Sequence, residues 1–505
     1  MLSIFDQGPP IPCPAPFNLA AHVLRRANEC SDKTALSVLR TDDADDWAYR
    51  ELQAAILGTG TGLLQAGLNP GDIALMRLGN TVDFPIAYLG AIAVGIVPVP
   101  TSSQLTAPET ARMISDLSPA AILRDPAVAC APHPFQIGLA ELTAMRDLPS
   151  ADYDLGDPER LAYVVYTSGT SGKPRAVAHV HRAIWARQMM VDGWYGLRDT
   201  DRLCHAGAFN WTYTLGTGLM DPWTIGATAL IPEPGTDITS LPDLLRQHRA
   251  TIFAAAPGVF RKMLSDADRI NLPDLRHGLC AGEKLSRHLH EHWHSATKTE
   301  LYEAYGMSEC STFISSSPTH PARGDALGQP QPGRRVAILG PDGPVSQGQE
   351  GTIAIHRSDP GLMLTYLNAP QEVDERMQGD WFLTGDQGAM AEDGQVTYLG
   401  RDDDMMNAGG YRVSPVEVES VLSRCPGITQ VGAAAVEVKE DTFVIAAFYS
   451  GPEKLDDADL RAYVQANLAR YKQPRAFVHL PALPTGGNGK LLRRALPAYF
   501  KASTE

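Results

Sequence analysis

The sequence predicts an α/β fold: a large N-terminal domain of two βαβ-type sheets plus a small β-barrel-like subdomain, followed by a small α+β C-terminal domain. Three observations carry this. From about residue 17 to residue 400 short apolar runs alternate with helix-length segments, the pattern of parallel strands joined by crossover helices. Around residues 340–400 the texture changes to closely spaced strands separated by "PDG" and "EDG" turns. The last hundred or so residues then open with a helix-start signal of their own.

Taken in order, "DIALMRL" (72–78) reads as a buried strand, and "IAYLGAIAVGIVPVP" (86–100) as a buried helix running into another. At 15 residues ending in prolines, that run is short for a membrane span, which needs about 20. "LAYVVYT" (161–167), "TIFAAAP" (251–257) and "GTIAIH" (351–356) are further strands, rich in β-branched or small apolar residues. The charged, glycine-containing stretch "GRDDDMMNAGGYR" marks a hinge, so the N-terminal domain spans 1–400, the hinge 401–404 and the C-terminal domain 405–505. In "SPVEVESVLSR", Ser414 is the expected N-cap, Pro415 the first helical residue and Glu417 the partner in a capping box. Val418, Val421 and Leu422 form its apolar face. Strands at 430–438 and 442–449 follow, then a helix carrying Leu460, Tyr463, Val464 and Leu468 that stops before Pro474. A hinge between a large and a small domain places ligands at their interface.

The 505 residues are 44% hydrophobic and 20% charged, globular values that allow a large core. A net charge of −15 with no strongly basic run argues against nucleic acid as a partner. The seven cysteines are scattered, with no C-x-x-C pair, which fits free thiols in a reducing compartment and neither a disulfide framework nor a zinc site. The N-terminus lacks a basic region followed by an apolar one, so no secretory signal is expected. No membrane partner and a cytoplasmic location follow as expectations.

"VVYTSGTSGKPRAV" (164–177) has the look of a phosphate loop. A Walker loop requires G-x-x-x-x-G-K-[ST] running into a helix, and it fails here twice. The first glycine falls on Thr167, and the position after Lys173 is Pro174, which has no hydroxyl and disfavours helical dihedrals at Lys173. Two glycines, four hydroxyls and one lysine still suit an anion cradle, yet clusters of this composition are also ordinary surface loops. Composition alone leaves both readings open.

Five further stretches occur in a fixed order: "AGEKL" (281–285), "YEAYGMSE" (302–309), "WFLTGD" (381–386), "GRDDDMMNAGGYRVSPVEVE" (400–419) and "NGK" (488–490). Together with the loop, this set resembles the adenylate-forming superfamily of acyl-CoA synthetases, luciferases and nonribosomal-peptide adenylation domains, over essentially the whole chain. The resemblance implies a two-step reaction. A carboxylate attacks the α-phosphate of ATP to give acyl-adenylate and pyrophosphate, and a thiol, usually that of CoA, then displaces AMP.

The resemblance also implies roles. Thr167, Ser168, Gly169, Thr170, Ser171, Gly172 and Lys173 would hold the departing phosphates, and Glu309 would ligate Mg²⁺, with Ser308 where threonine is commoner. Asp386 and Arg401 match the positions that grip the ribose. Gly282, Glu283 and Lys284, with Glu303, Ala304 and Tyr305, frame the adenine. Lys490 matches the lysine bridging the substrate carboxylate and the α-phosphate, although Thr485 stands where a basic residue is common. Asp403, flanked by Asp402 and Asp404, falls on the hinge about which a mobile C-terminal domain swings, bringing Gly409 and Gly410 to line the CoA channel. Glycines suit a narrow passage close to backbone.

For the acid, "AFNWTYTLG" (208–216) offers Trp211 as a gating aromatic and Tyr213 as a pocket wall. It contains no aspartate to hold an α-ammonium group, which disfavours amino acids. Gly306 stands where acetate-type relatives carry a tryptophan, which implies room for a larger acyl group. The expected activity is an acid–CoA ligase for an aromatic or medium-chain acid, using ATP, Mg²⁺ and CoA. An acyl-AMP ligase loading a carrier protein and a nucleotide-binding pseudoenzyme are the alternatives. A homodimer is a further expectation drawn from the relatives.

Overall fold

The structure, a computed structural model, describes residues 1–167, 175–265, 269–408, 411–439, 442–468, 470–486 and 489–504. Six strands run parallel in the order Thr34–Leu39, Thr228–Pro232, Arg202–His205, Ile252–Ala255, His277–Ala281 and Glu300–Met307. Most of their residues are buried, as expected where helices cover both faces of a sheet. A second parallel sheet orders Val97–Pro100, Ile73–Arg77, Ala121–Arg124 and Gln136–Gly138. Between them lies the helix Asp83–Ala93, every residue of which after Asp83 is buried. A helix apolar on all sides has no other stable location.

The strands expected as a separate barrel-like piece are continuous with the first sheet. From Glu300–Met307 hydrogen bonding passes to Ser311–Ser315, Ala326–Pro330, Val396–Arg401, Trp381–Met390, Glu350–His356 and Arg335–Gly340, and ends on Ile4–Asp6. All these pairings are antiparallel. A three-residue connection permits only this direction, so the parallel sheet turns antiparallel between Met307 and Ser311.

The C-terminal unit has its own sheet, Gln430–Lys439 paired with Thr442–Ser450 and this in turn with Ala476–His479. Helices Pro415–Leu422 and Asp457–Asn467 supply one core with Val418, Leu422, Leu460 and Val464, and Leu496 closes the other face. Ser414 caps the first helix as its sequence indicates, accepting from the Glu417 N–H. The expected reciprocal bond from Glu417 is replaced by an ion pair with Lys472 at 2.7 Å. A lysine within reach outcompetes a neutral N–H for a carboxylate.

Candidate active site

The carboxyl ends of the parallel strands carry the first group of candidate residues, the usual place for a ligand on an open α/β sheet. Gly282, Glu283 and Lys284 leave the strand His277–Ala281, and Glu303, Ala304 and Tyr305 lie on its neighbour, with Cys280 opposite Glu303 and Ala281 opposite Ala304. The two predicted adenine segments are therefore adjacent. Lys284 Nζ pairs with Glu303 Oε2 at 2.6 Å, and the Leu285 N–H donates to Oε1 at 2.7 Å. Burial raises the Glu303 carboxyl pKa, and Lys284 opposes the rise. These two charged side chains fix the turn that follows the strand. Ala304 is buried in the core.

Asp386 and Arg401 face each other across adjacent strands, 3.7 Å apart. The Tyr305 hydroxyl donates to Asp386 Oδ2 at 2.6 Å, while its ring meets Phe313 edge-on at 5.3 Å. Burial, then the Asp386 charge, pushes the Tyr305 hydroxyl well above its usual range. Tyr305 thus combines a core contact with a bond to a predicted ribose carboxylate.

Glu309 is only 8% exposed. Its Oε1 accepts from the Tyr366 hydroxyl at 2.6 Å and lies 3.5 Å from Arg376. Arg376 also stands over the Tyr366 ring, as does Arg175. No cluster of three or more His, Cys, Asp or Glu suited to a metal occurs among the described residues. A lone carboxylate with a second oxygen to offer fits Mg²⁺, which keeps several waters and takes its other ligands from substrate phosphates.

Lys490 reaches this site from the opposite end of the chain. Residues Thr485 and Leu491 form a bridge, the Gly486 N–H donates to the Lys490 carbonyl, and Gly489 turns through a positive φ of 75°. This tight loop projects Lys490 over Gly282, whose missing Cβ would lie 3.9 Å from Lys490 Cε and 2.8 Å from the Trp211 ring. Lys490 keeps solvent access, yet surrounding protein strips enough water from the ammonium to lower its pKa, against the opposing charges of Glu283 and Asp386. Burial in turn raises the Glu283 pKa, offset by Arg261 at 3.8 Å and by Lys490. Arg493, three residues on, binds Asp404 and Glu419, tying the lysine-bearing segment to the predicted hinge.

Other candidates are less fully described. Thr167 ends the strand Leu161–Thr167 opposite Arg175, and Ser168, Gly169, Thr170, Ser171, Gly172 and Lys173 lie outside the described residues. The strands Leu161–Thr167 and Arg175–Val180 are antiparallel partners, and a strand begins at Arg175 where a Walker loop would run into a helix. Gly409 and Gly410 also lie outside the described residues, and Asp403 occupies a short helical turn, Asp402–Asp404.

Trp211 is half-buried, its ring perpendicular to Tyr213 at 5.1 Å. Tyr213 itself is a core residue, 7% exposed, with its hydroxyl bound to the Leu279 carbonyl at 2.9 Å. It props Trp211 and does not line the nearby cavity. At Gly306 a Cβ would stand 2.2 Å from the Ser311 carbonyl oxygen and 2.5 Å from Thr312 Cα. The glycine there serves the close turn between two strands, and the direction a side chain would take is filled by backbone.

Sequence reasoning named Ser308 but missed the other residues around a nearby cavity, Tyr163, His179, Arg187, Thr212, Leu215 and Ser311 among them. Arg187 forms a buried two-pronged pair with Asp221, at 2.8 and 2.6 Å. Burial alone would lower the Arg187 pKa, but Asp221 outweighs it and raises the value. The available signal was a lone charge in each of two apolar stretches, "AIWARQMM" and "LGTGLMDPW", since buried charges need partners.

A model of AMP-binding enzymes matches residues 23–367, and one of the AMP-binding enzyme C-terminal domain matches residues 417–490. The chain is 27% identical over 522 aligned residues to a benzoate–CoA ligase of Thauera aromatica, covering 97% of this chain and 98% of that protein. It is 28% identical over 483 residues to a 4-hydroxybenzoate–CoA/benzoate–CoA ligase of Rhodopseudomonas palustris, covering 89% and 88%. Among solved structures, a benzoate CoA ligase from Burkholderia xenovorans superposes with a TM-score of 0.84 at 25% identity, over 95% of this chain and 100% of that one. With both halves of the chain matched in order, the chain belongs to the AMP-binding enzyme family.

Proposed function

We propose that the protein is an acid–CoA ligase for an aromatic carboxylic acid, working through an acyl-adenylate. The observation that supports this best is the arrival of Lys490 above Gly282, in the field of Glu283, Asp386 and Arg401. Bringing a carboxylate to a triphosphate sets anion against anion, and a partly desolvated ammonium between them is the strongest available remedy. In this reading Asp386 accepts hydrogen bonds from the ribose hydroxyls of ATP, and Arg401 steadies it. Tyr305 holds Asp386 in place. Glu309, aligned by Tyr366 and Arg376, holds Mg²⁺, which supplies charge neutralisation for the departing pyrophosphate. The loop 167–173 receives that pyrophosphate.

Residues 1–400 then act as the adenylation body, 401–404 as the hinge and 405–505 as the moving unit. The separate sheet and cores of the last hundred residues support this division. With Lys490 over Gly282, the arrangement suits the first half-reaction. Rotation about Asp403 would withdraw Lys490 and Arg493 together and open a path for the CoA thiol past Gly409 and Gly410. The aromatic preference rests on the benzoate– and hydroxybenzoate–CoA ligases among the relatives.

The test is pyrophosphate and AMP release over acids from acetate through hexanoate to benzoate and hydroxybenzoates, with and without CoA. Turnover that requires an aryl acid and CoA is the expected result. Pyrophosphate release that CoA does not sustain would replace the ligase by an acyltransferase serving another acceptor.

A further inference from the structure

A cavity is bordered by Thr212 and Ser308, the sequence neighbours of Trp211 and Glu309. It measures about 20 Å³, room for roughly one water or one small substituent. Leu19, Ile184, Leu215 and Met220 supply its apolar wall. Its polar wall is unusual in one respect. His179 is 2% exposed, and among the described residues its Nδ1 has no hydrogen-bond partner.

The tautomer follows from the other ring nitrogen. His179 Nε2 lies 2.7 Å from the Ser308 carbonyl oxygen, and a carbonyl can only accept, so Nε2 carries the proton. Burial lowers the pKa to about 4, so the ring is neutral near pH 7 and Nδ1 is a bare acceptor. The Tyr163 ring stacks on the imidazole at 4.9 Å and fixes its plane. The remaining charged group cannot serve an anion. Arg187 is already paired twice with Asp221 and donates to Ser311, so the cavity holds no net positive charge, while His179 Nδ1 is without a donor among the described residues.

We propose that this cavity receives a hydrogen-bond-donating substituent on the ring of the acid, a hydroxyl or amino group, with His179 Nδ1 as its acceptor. This rests on the ligase reading above. An unsubstituted ring would leave Nδ1 unpartnered in the closed site, and a second carboxylate would meet an acceptor with no free cation. Substituted acids with the donor at the matching ring position should therefore exceed benzoate by roughly 10–100-fold in kcat/KM, the usual cost of a buried unpaired acceptor.

The experiment compares kcat/KM for benzoate, the three hydroxybenzoates, the three aminobenzoates and phthalate, each with ATP, Mg²⁺ and CoA, in the native protein and in His179→Phe. Phenylalanine keeps the stacking area against Tyr163 and removes the acceptor. Because the readout is the ratio between two acids on one protein, loss of folded material cancels. His179→Gln, which offers both a donor toward Ser308 and an acceptor, provides the second variant. The expected result is one preferred hydroxy or amino isomer, with its advantage over benzoate lost in His179→Phe and partly restored in His179→Gln. Equal use of benzoate and every substituted acid would overturn the inference while leaving the ligase intact, as would a preference that His179→Phe does not change or a preference for alkanoates. Absence of pyrophosphate release with any acid would overturn the ligase reading itself, and this inference with it.

Discussion

Lys490 and Tyr305 do their work through single contacts, and each can be removed alone. Lys490→Ala takes away the only charge that the C-terminal loop brings over Gly282 among the described residues. Acid-dependent pyrophosphate release should fall by at least about 10²-fold, while thioester formation from supplied acyl-adenylate should survive. Equal loss in both half-reactions, measured by single turnover, would count against its assignment to the first. Tyr305→Phe strips Asp386 of a 2.6 Å donor and should cost about 1–3 kcal/mol of stability, with a raised KM for ATP. An unchanged urea midpoint and KM would show that bond to be dispensable. Glu309, Asp386, Arg401 and Lys490 stand in short local signatures, which is why the sequence could name them as candidates. His179 and Arg187 could not be so named, since what makes them special is distant: His179 meets the Ser308 carbonyl 129 positions away, and Arg187 meets Asp221 34 positions away.

The strand pair Glu300–Met307 and Ser311–Ser315 shows how element geometry governs the site. Its register shifts between Tyr305 and Gly306, and that irregularity lets Glu309 leave the sheet toward Tyr366. Gly306→Ala would drive a methyl to 2.2 Å from the Ser311 carbonyl. We expect about 1–3 kcal/mol of destabilisation from such overpacking, and a lower Mg²⁺-dependent activity at permissive temperature. Normal thermal stability of the variant would mean the strands separate more easily than their packing indicates. The same segment is anchored from beneath by Arg334, fully buried with Asp359 at 2.5 Å and bonded to the Thr312 carbonyl. Arg334→Met leaves the aspartate buried and unpaired, and should destabilise by about 3–5 kcal/mol, read from chemical unfolding. Most strands and the helix start at Ser414 were visible in the apolar pattern. The passage from parallel to antiparallel pairing within one sheet was not, because periodicity reports burial of a strand and carries nothing about its neighbour's direction.

For the molecule as a whole, the buried histidines set the acid limit. His22, His181 and His205 are lowered to about 3, and His179 and His277 to about 4, in every case chiefly by burial. Their folded values lie below the unfolded value near 6.5, so between about pH 6.5 and pH 4 the unfolded chain binds more protons and stability falls as pH falls. Glu283, Glu303 and Glu419, raised by burial, act in the opposite sense, but they are fewer. Urea midpoints should decline steadily from pH 7 to pH 4; a flat or rising profile would mean these imidazoles gain protons without unfolding. The division into a large body and a small C-terminal unit was evident from composition and cap signals. The pairing of the N-terminal strand at the edge of the large sheet was not.

That last pairing joins Ile4 to Ala337 and Asp6 to Arg335, partners 333 and 329 positions apart. On the ribosome, at about 5–20 residues per second, the first strand emerges roughly 15–65 s before the strand it pairs with. For that interval it is an open edge with exposed backbone, able to recruit any other extended segment. Aggregation of the nascent chain would start there, and slowing translation between residues 6 and 335 should lower the soluble yield more than slowing it afterwards.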